Sequence, residues 1–196
     1  MTGATDRAPT SVGAVPVVNA ANAMTALRLA LVPVFVALVV VSQLNHANWR
    51  IIACLIFAFA SATDLVDGWI ARRFALVTAF GKVADPIADK ALTGAALVLL
   101  AWYAQIPWWV TLVILAREFG VTLLRFWVIR FGVIAASRGG KAKTALQILA
   151  IVWYLWPVPA GVVWIGPWIL GGAVLVTGLT GLDYALRALR LRRQAG

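Results

Sequence analysis

Two segments decide how this chain is read: Asp64-Leu65-Val66-Asp67-Gly68-Trp69-Ile70-Ala71-Arg72-Arg73, and Gly81-Lys82-Val83-Ala84-Asp85-Pro86-Ile87-Ala88-Asp89-Lys90. The chain has only seven acidic residues, and four of them fall here, Asp64, Asp67, Asp85 and Asp89. At about 100° per residue, Asp64, Asp67, Gly68 and Ala71 share one face of a helix. Asp85 and Asp89 lie one turn apart on the next helix, with Gly81 a turn before them. Two antiparallel helices joined by a short loop can therefore aim four carboxylates at one spot. Such a cluster is strongly unfavourable without a cation. Hard oxygen ligands of this kind suit Mg²⁺ or Mn²⁺. Gly68, Ala71 and Gly81 leave surface free of side chains, where a substrate can press against backbone. The plainer alternative is helix-end acids neutralised by Arg72, Arg73, Lys82 and Lys90. It accounts for any one aspartate, but poorly for four on two converging faces.

The sequence on either side is apolar. Of 196 residues, 63% are hydrophobic, and the mean hydropathy is +0.92. A soluble domain of this length needs more polar surface to cover its core. A helix needs about 20 apolar residues to cross a bilayer core of about 30 Å. Six such segments are expected, near 25–43, 50–72, 82–104, 108–130, 143–158 and 165–187. The fold class expected is all-α: an integral membrane domain of six transmembrane helices over 19–190. Residues 1–18 are expected to form a flexible cytoplasmic tail with no signal peptide, and 191–196 a basic cytoplasmic tail. Residues 16–24 read as a short surface segment leading into the first helix.

The net charge of +10 raises the question of nucleic acid. The basic residues, however, sit at the ends of apolar spans, as topology and anionic headgroups dictate; no nucleic-acid partner is expected. Arg72, Arg73 and Lys82 follow the second span, Arg130, Arg138, Lys141 and Lys143 the fourth, and Arg187, Arg190, Arg192 and Arg193 the last. Segments 44–49, 105–107 and 159–164 carry none, with Arg50 just beyond the first. Both termini and the aspartates are therefore expected on the cytoplasmic side of a cell membrane. Trp49, Trp102, Trp108, Trp109, Trp156 and Trp164 gather at the opposite interface as an aromatic belt. Cys54 and His46, each the only one of its kind, carry no metal or disulfide spacing.

Asp64-Leu-Val-Asp67-Gly68-Trp-Ile-Ala71-Arg72, eight residues, then Gly81-Lys-Val-Ala-Asp85-Pro-Ile-Ala-Asp89 resembles the signature of the CDP-alcohol phosphotransferases at every fixed position. The six-span reading matches that family over nearly the whole chain. The resemblance implies that an alcohol hydroxyl attacks the β-phosphorus of a CDP-linked lipid and CMP leaves. It implies that Asp64, Asp67 and Asp85 hold the metal, that Asp89 is the general base and a ligand to a second metal, and that Gly68, Ala71, Arg72 and Gly81 line the CDP site. Metal on the pyrophosphate would neutralise charge on the departing CMP. A metal-bound carboxylate is a weak base, which favours Asp89 orienting the hydroxyl over deprotonating it. The resemblance also implies a homodimer.

Three further stretches narrow the acceptor: Asn22-Ala-Met-Thr25-Ala-Leu-Arg28, Asp85-Pro86-Ile-Ala-Asp89-Lys90, and Arg117-Glu118 running through Arg125 to Gly140-Lys141-Ala-Lys143-Thr144-Ala-Leu-Gln147. Together they are similar to the branch that joins CDP-diacylglycerol to sn-glycerol 3-phosphate, giving phosphatidylglycerophosphate. Asn19-Ala-Ala-Asn22 departs from the Pro-Asn pair found there in many members. A phosphorylated acceptor needs cations, which Arg117, Arg125, Lys141 and Lys143 could supply, with Thr25 and Arg28 closing the pocket. The alternatives are orienting charges for the lysines, an intramembrane pair with Glu118 for Arg117, and a helix cap and interfacial anchor for Thr25 and Arg28. Pro86 is expected to kink the third helix. Two rival readings stand beside this one: the same chemistry on another acceptor such as inositol phosphate, and a cation-binding membrane transporter.

Overall fold

The computed structural model describes residues 20–73, 79–128 and 138–194, apart from the side chains of 20–21, 65, 67–72, 79–83, 125–126, 128, 138, 191 and 193–194. The expected tail at 1–18 lies outside it. Six α-helices run in chain order: α1 Ala20–Ser42, α2 Ala47–Arg73, α3 Ala79–Trp102, α4 Trp108–Val128, α5 Arg138–Leu155 and α6 Ile165–Gln194. A short 3-10 turn, Ala160–Val162, precedes α6. No strand occurs among the described residues.

The helices end where local chemistry stops them. At the end of α1, Gln43 and Leu44 take left-handed φ values of 48° and 58°. Ser42 Oγ there donates to Val39 O and accepts from Leu44 N. Ala104 closes α3 with a φ of 55°. Gln105 N donates to Leu100 O and Ala104 N to Ala101 O, the paired bonds of a Schellman cap. Short connections make sequential helices antiparallel neighbours, so the 43–46, 103–107 and 156–164 connections fall at one end of the bundle.

The number and order of helices follow the apolar pattern; their ends do not. The stretch expected to be a surface segment at 16–24 is helical from Ala20 onward, continuous with the first span. Ala20, Ala21 and Ala23 favour helix whether or not lipid surrounds them. For the same reason α6 runs on to Gln194, past the boundary expected at 190, while α5 begins at Arg138 in spite of Gly139 and Gly140. α3 continues through Pro86, seven residues after its start. That is past the first turn, so its missing N–H takes one i→i−4 bond from the helix, beside Asp85.

α1 packs against both α2 and α3; α4 and α5 pack against α6; α2–α5, α3–α4 and α3–α5 contacts join the two groups. One core runs through all six helices, from Phe35 and Phe57 through Leu97 and Leu100 to Ile114, Ile151 and Leu170. The Phe35 and Phe57 rings meet at 5.8 Å. Outside it, large apolar side chains face outward on every helix, among them Leu29, Val41, Leu55, Ile87, Leu123, Leu149 and Leu179. A bundle apolar inside and out is built for lipid.

Among the described residues, two helices are long and apolar enough to cross a bilayer: Asn22–Ser42, with mean hydropathy 2.4, and Ile165–Arg190, at 1.6. The other four carry the charged residues expected to form the site, which lower their hydropathy. Trp49, Trp102, Trp108, Trp109, Trp156 and Trp164 are all exposed, at the one end of the bundle where those connections lie.

Candidate active site

The buried face of α1 changes character along its length. Phe35 and Val39 are apolar; a turn spacing earlier in the chain come Asn22, Thr25 and Arg28, all buried. Three-residue spacing puts these three on one stripe. Arg28 is only 1% exposed. Its Nη1 donates to Asp64 Oδ1 at 2.7 Å, and its Nε to Ala60 O at 3.2 Å. Thr25 donates its hydroxyl to Asp85 Oδ1. α1 is thus tied to the aspartate-bearing ends of both α2 and α3. The interfacial anchor is not what the buried Arg28 forms, and Thr25 lies inside α1 rather than at its cap.

Asp89 follows Asp85 by one turn on α3. Its carboxylate lies within electrostatic range of Asp64 and of the cations Lys143, Lys90 and Arg28. It opens onto a crevice between α3, α4 and α5 that Thr93, Glu118, Lys143, Thr144 and Gln147 also line. Glu118 is the hub of the far wall. Its Oε1 accepts from Lys143 Nζ and, at 3.1 Å, from Arg117 Nη1. Arg117 Nη2 donates to Thr180 on α6 at 3.0 Å, and its aliphatic stem lies against Gly181, where a Cβ would meet Cγ at 3.0 Å. Deeper in, Gln147 Nε2 donates to Thr177 Oγ1 at 3.3 Å.

The expected acceptor residues therefore separate into groups. Thr25 and Arg28 join the aspartates. Arg117 and Lys143 gather on Glu118, so the expected alternative for Arg117, an ion pair inside the bundle, is present. Lys141 is exposed. Asp67, Gly68, Ala71 and Arg72 lie on the last turns of α2, Gly81 on the first of α3 and Arg125 near the end of α4; their side chains are outside the described residues. The sequence reading missed Thr177 and Thr180. Their three-residue spacing in an otherwise apolar stretch of α6 was the available signal.

Among the described residues no three carboxylate, imidazole or thiol groups converge on one ion position. Asp67, the remaining carboxylate of the motif, is not among them. The donor set nonetheless fits a hard divalent ion: Asp64, Asp85 and Asp89 supply only oxygen. Asp64 and Asp89 also repel one another, which a cation would relieve.

An all-helical membrane protein with an acidic cluster at one end of the bundle and cations around an adjoining crevice is the class this structure defines. Residues 18–179 match the family model of the CDP-alcohol phosphatidyltransferases, and the chain belongs to that family. It is 46% identical over 178 residues to a Mycobacterium tuberculosis (strain H37Rv) protein named probable phosphatidylglycerophosphate synthase, covering 91% of this chain and 85% of that one. It is 40% identical over 147 residues to the CDP-diacylglycerol–glycerol-3-phosphate 3-phosphatidyltransferase of Bacillus subtilis (strain 168), covering 68% and 74% of the two chains. The Salmonella typhimurium (strain LT2) protein of the same name is 40% identical over 144 residues, with 70% and 77% covered.

Proposed function

We propose that this protein transfers the phosphatidyl group of CDP-diacylglycerol to sn-glycerol 3-phosphate, releasing CMP and phosphatidylglycerophosphate. The observation that carries the reading is the joining of the aspartate-bearing helix ends to a crevice that Lys90 and Lys143 line beside Asp89. One side suits a pyrophosphate with its metal, the other a phosphorylated alcohol.

Asp64, Asp67, Asp85 and Asp89 would hold Mg²⁺ or Mn²⁺, which neutralises pyrophosphate charge and eases the departure of CMP. Gly68, Ala71, Arg72 and Gly81 would carry the CDP portion. Asp89 stands between the two sides. It orients the acceptor hydroxyl and, as a weak base, takes its proton only late, as the new oxygen–phosphorus bond forms and the bond to CMP breaks. Lys143, held by Glu118 on the crevice wall, would face the acceptor phosphate; Arg117 would act from behind it through Glu118, with Arg125 and Lys141 completing the basic set. The site and both termini lie on the cytoplasmic side, and the working form is a homodimer.

Purified protein in detergent, given CDP-diacylglycerol and Mg²⁺ or Mn²⁺, is expected to release CMP with sn-glycerol 3-phosphate and to lose that activity on chelation. Asp89→Asn is expected to lower turnover at least 100-fold. CMP release with inositol phosphate but not with glycerol 3-phosphate would overturn the acceptor. Full turnover by Asp89→Asn would overturn the role of Asp89. The transporter reading gains nothing from the structure, since the motif aspartates gather at one end of the bundle rather than along a path through it.

A further inference from the structure

Among the described residues, α2 and α3 meet over far less of their length than each meets α1. Of the described helices α1 makes the most extensive contact with both, which places it to fix Asp64 relative to Asp85. The contacts that could do so are in place. Arg28 holds Asp64 on α2, Thr25 holds Asp85 on α3, and both donors are all but fully buried. They are three residues apart on one stripe, so a single rigid helix separates their attachment points by roughly 4.5 Å along its axis.

We infer that α1 is the template of the carboxylate cluster, with Thr25 and Arg28 as positioning residues that set the spacing of Asp85 and Asp64 for the metal rather than as ligands of the acceptor phosphate. This rests on the metal-site reading above. Each of these two bonds engages a single carboxylate oxygen, Oδ1, and leaves Oδ2 for an ion. Asp64 remains 36% exposed while Arg28 is sealed in, so a ligand can approach the carboxylate but not the guanidinium. Arg28 is also anchored to the α2 backbone at Ala60 O. Its planar fork makes both bonds at once, which a lysine cannot do. Donors that orient a metal's ligands typically change metal affinity by about 10–100-fold when removed.

The test is Mn²⁺ binding to the full-length protein in detergent, by electron paramagnetic resonance, without substrate. Thr25→Val keeps the shape and removes the donor; it is expected to weaken Mn²⁺ binding about tenfold or more. Thr25→Ser is expected to restore it, and Arg28→Lys to shift it in the same direction as Thr25→Val. In turnover, the loss in Thr25→Val should appear in the Mn²⁺ requirement and not in the KM for glycerol 3-phosphate. Unchanged Mn²⁺ affinity in a folded Thr25→Val protein, with a raised glycerol 3-phosphate KM, would overturn the template and return Thr25 to the acceptor pocket. Wild-type protein that binds no Mn²⁺, or Asp85→Asn that binds it normally, would instead overturn the metal site itself.

Discussion

Arg50 is one residue whose role the sequence concealed. On charge alone it is a stray cation at the end of the bundle otherwise short of them. In the fold it caps a helix on another part of the chain. Its Nε donates to Leu155 O at 3.1 Å, and its Nη2 to Tyr154 O at 2.8 Å and Trp156 O at 3.1 Å. These carbonyls close α5, where helix geometry leaves acceptors unpaired, and Pro157 and Pro159, which follow, offer no N–H to meet them. A cation at a helix C-terminus is favoured further by the helix dipole. Arg50→Ala is expected to lower unfolding stability by about 2 kcal/mol, read as a lower denaturation midpoint in detergent, with metal and substrate requirements unchanged. The aspartates were legible because their spacing is local to two helices. Arg50 and Arg28 were not, because their partners lie far away in sequence and only packing selects them; for Arg117 the pair with its neighbour Glu118 was legible, and the bond to Thr180 was not.

At the scale of the element, hydropathy located every helix and misplaced several ends. It reports where a helix meets lipid, whereas α1 and α6 continue beyond that into sequence that is still helix-forming, and α5 starts early through Gly139-Gly140, which propensity disfavours. The end of α3 shows the other half of the problem. Nothing polar or flexible marks Ala104 as a cap, yet it holds the left-handed position of a Schellman motif with a φ of 55°. A Cβ in that conformation costs roughly 1 kcal/mol or more relative to glycine. Ala104→Gly is therefore expected to raise the denaturation midpoint by the equivalent of about 0.5–1 kcal/mol, part of the relief being offset by greater freedom in the unfolded chain. The same substitution at Ala96, buried in the interior of the same helix, serves as the control and should destabilise. A midpoint that falls at both positions would show that the cap is not held in this conformation.

For the whole molecule, the arrangement of charge and aromatics makes an orientation claim that side-chain geometry alone does not. α4 supplies a ruler: Trp108 and Trp127 lie 19 residues apart on it, roughly 28 Å along the axis, close to the thickness of a hydrocarbon core. Trp108 belongs to the cluster of exposed tryptophans. Trp127, at the other end, has the guanidinium of Arg192 over its ring at 5.1 Å, as an indole and a cation meeting at headgroup level would. The acidic site and the basic end of α6 then share one interface, and under the proposed topology the excess of lysine and arginine there makes it the cytoplasmic one. Single cysteines can read this directly. Cys54 is 2% exposed and gives little background, while Asn48 and Arg190 are exposed at opposite ends. In intact cells a membrane-impermeant maleimide is expected to label Asn48→Cys and to spare Arg190→Cys until the membrane is permeabilised. The opposite pattern would put the aspartates outside the cell, away from cytoplasmic CDP-lipid and glycerol 3-phosphate, and would remove the proposed reaction along with the proposed topology.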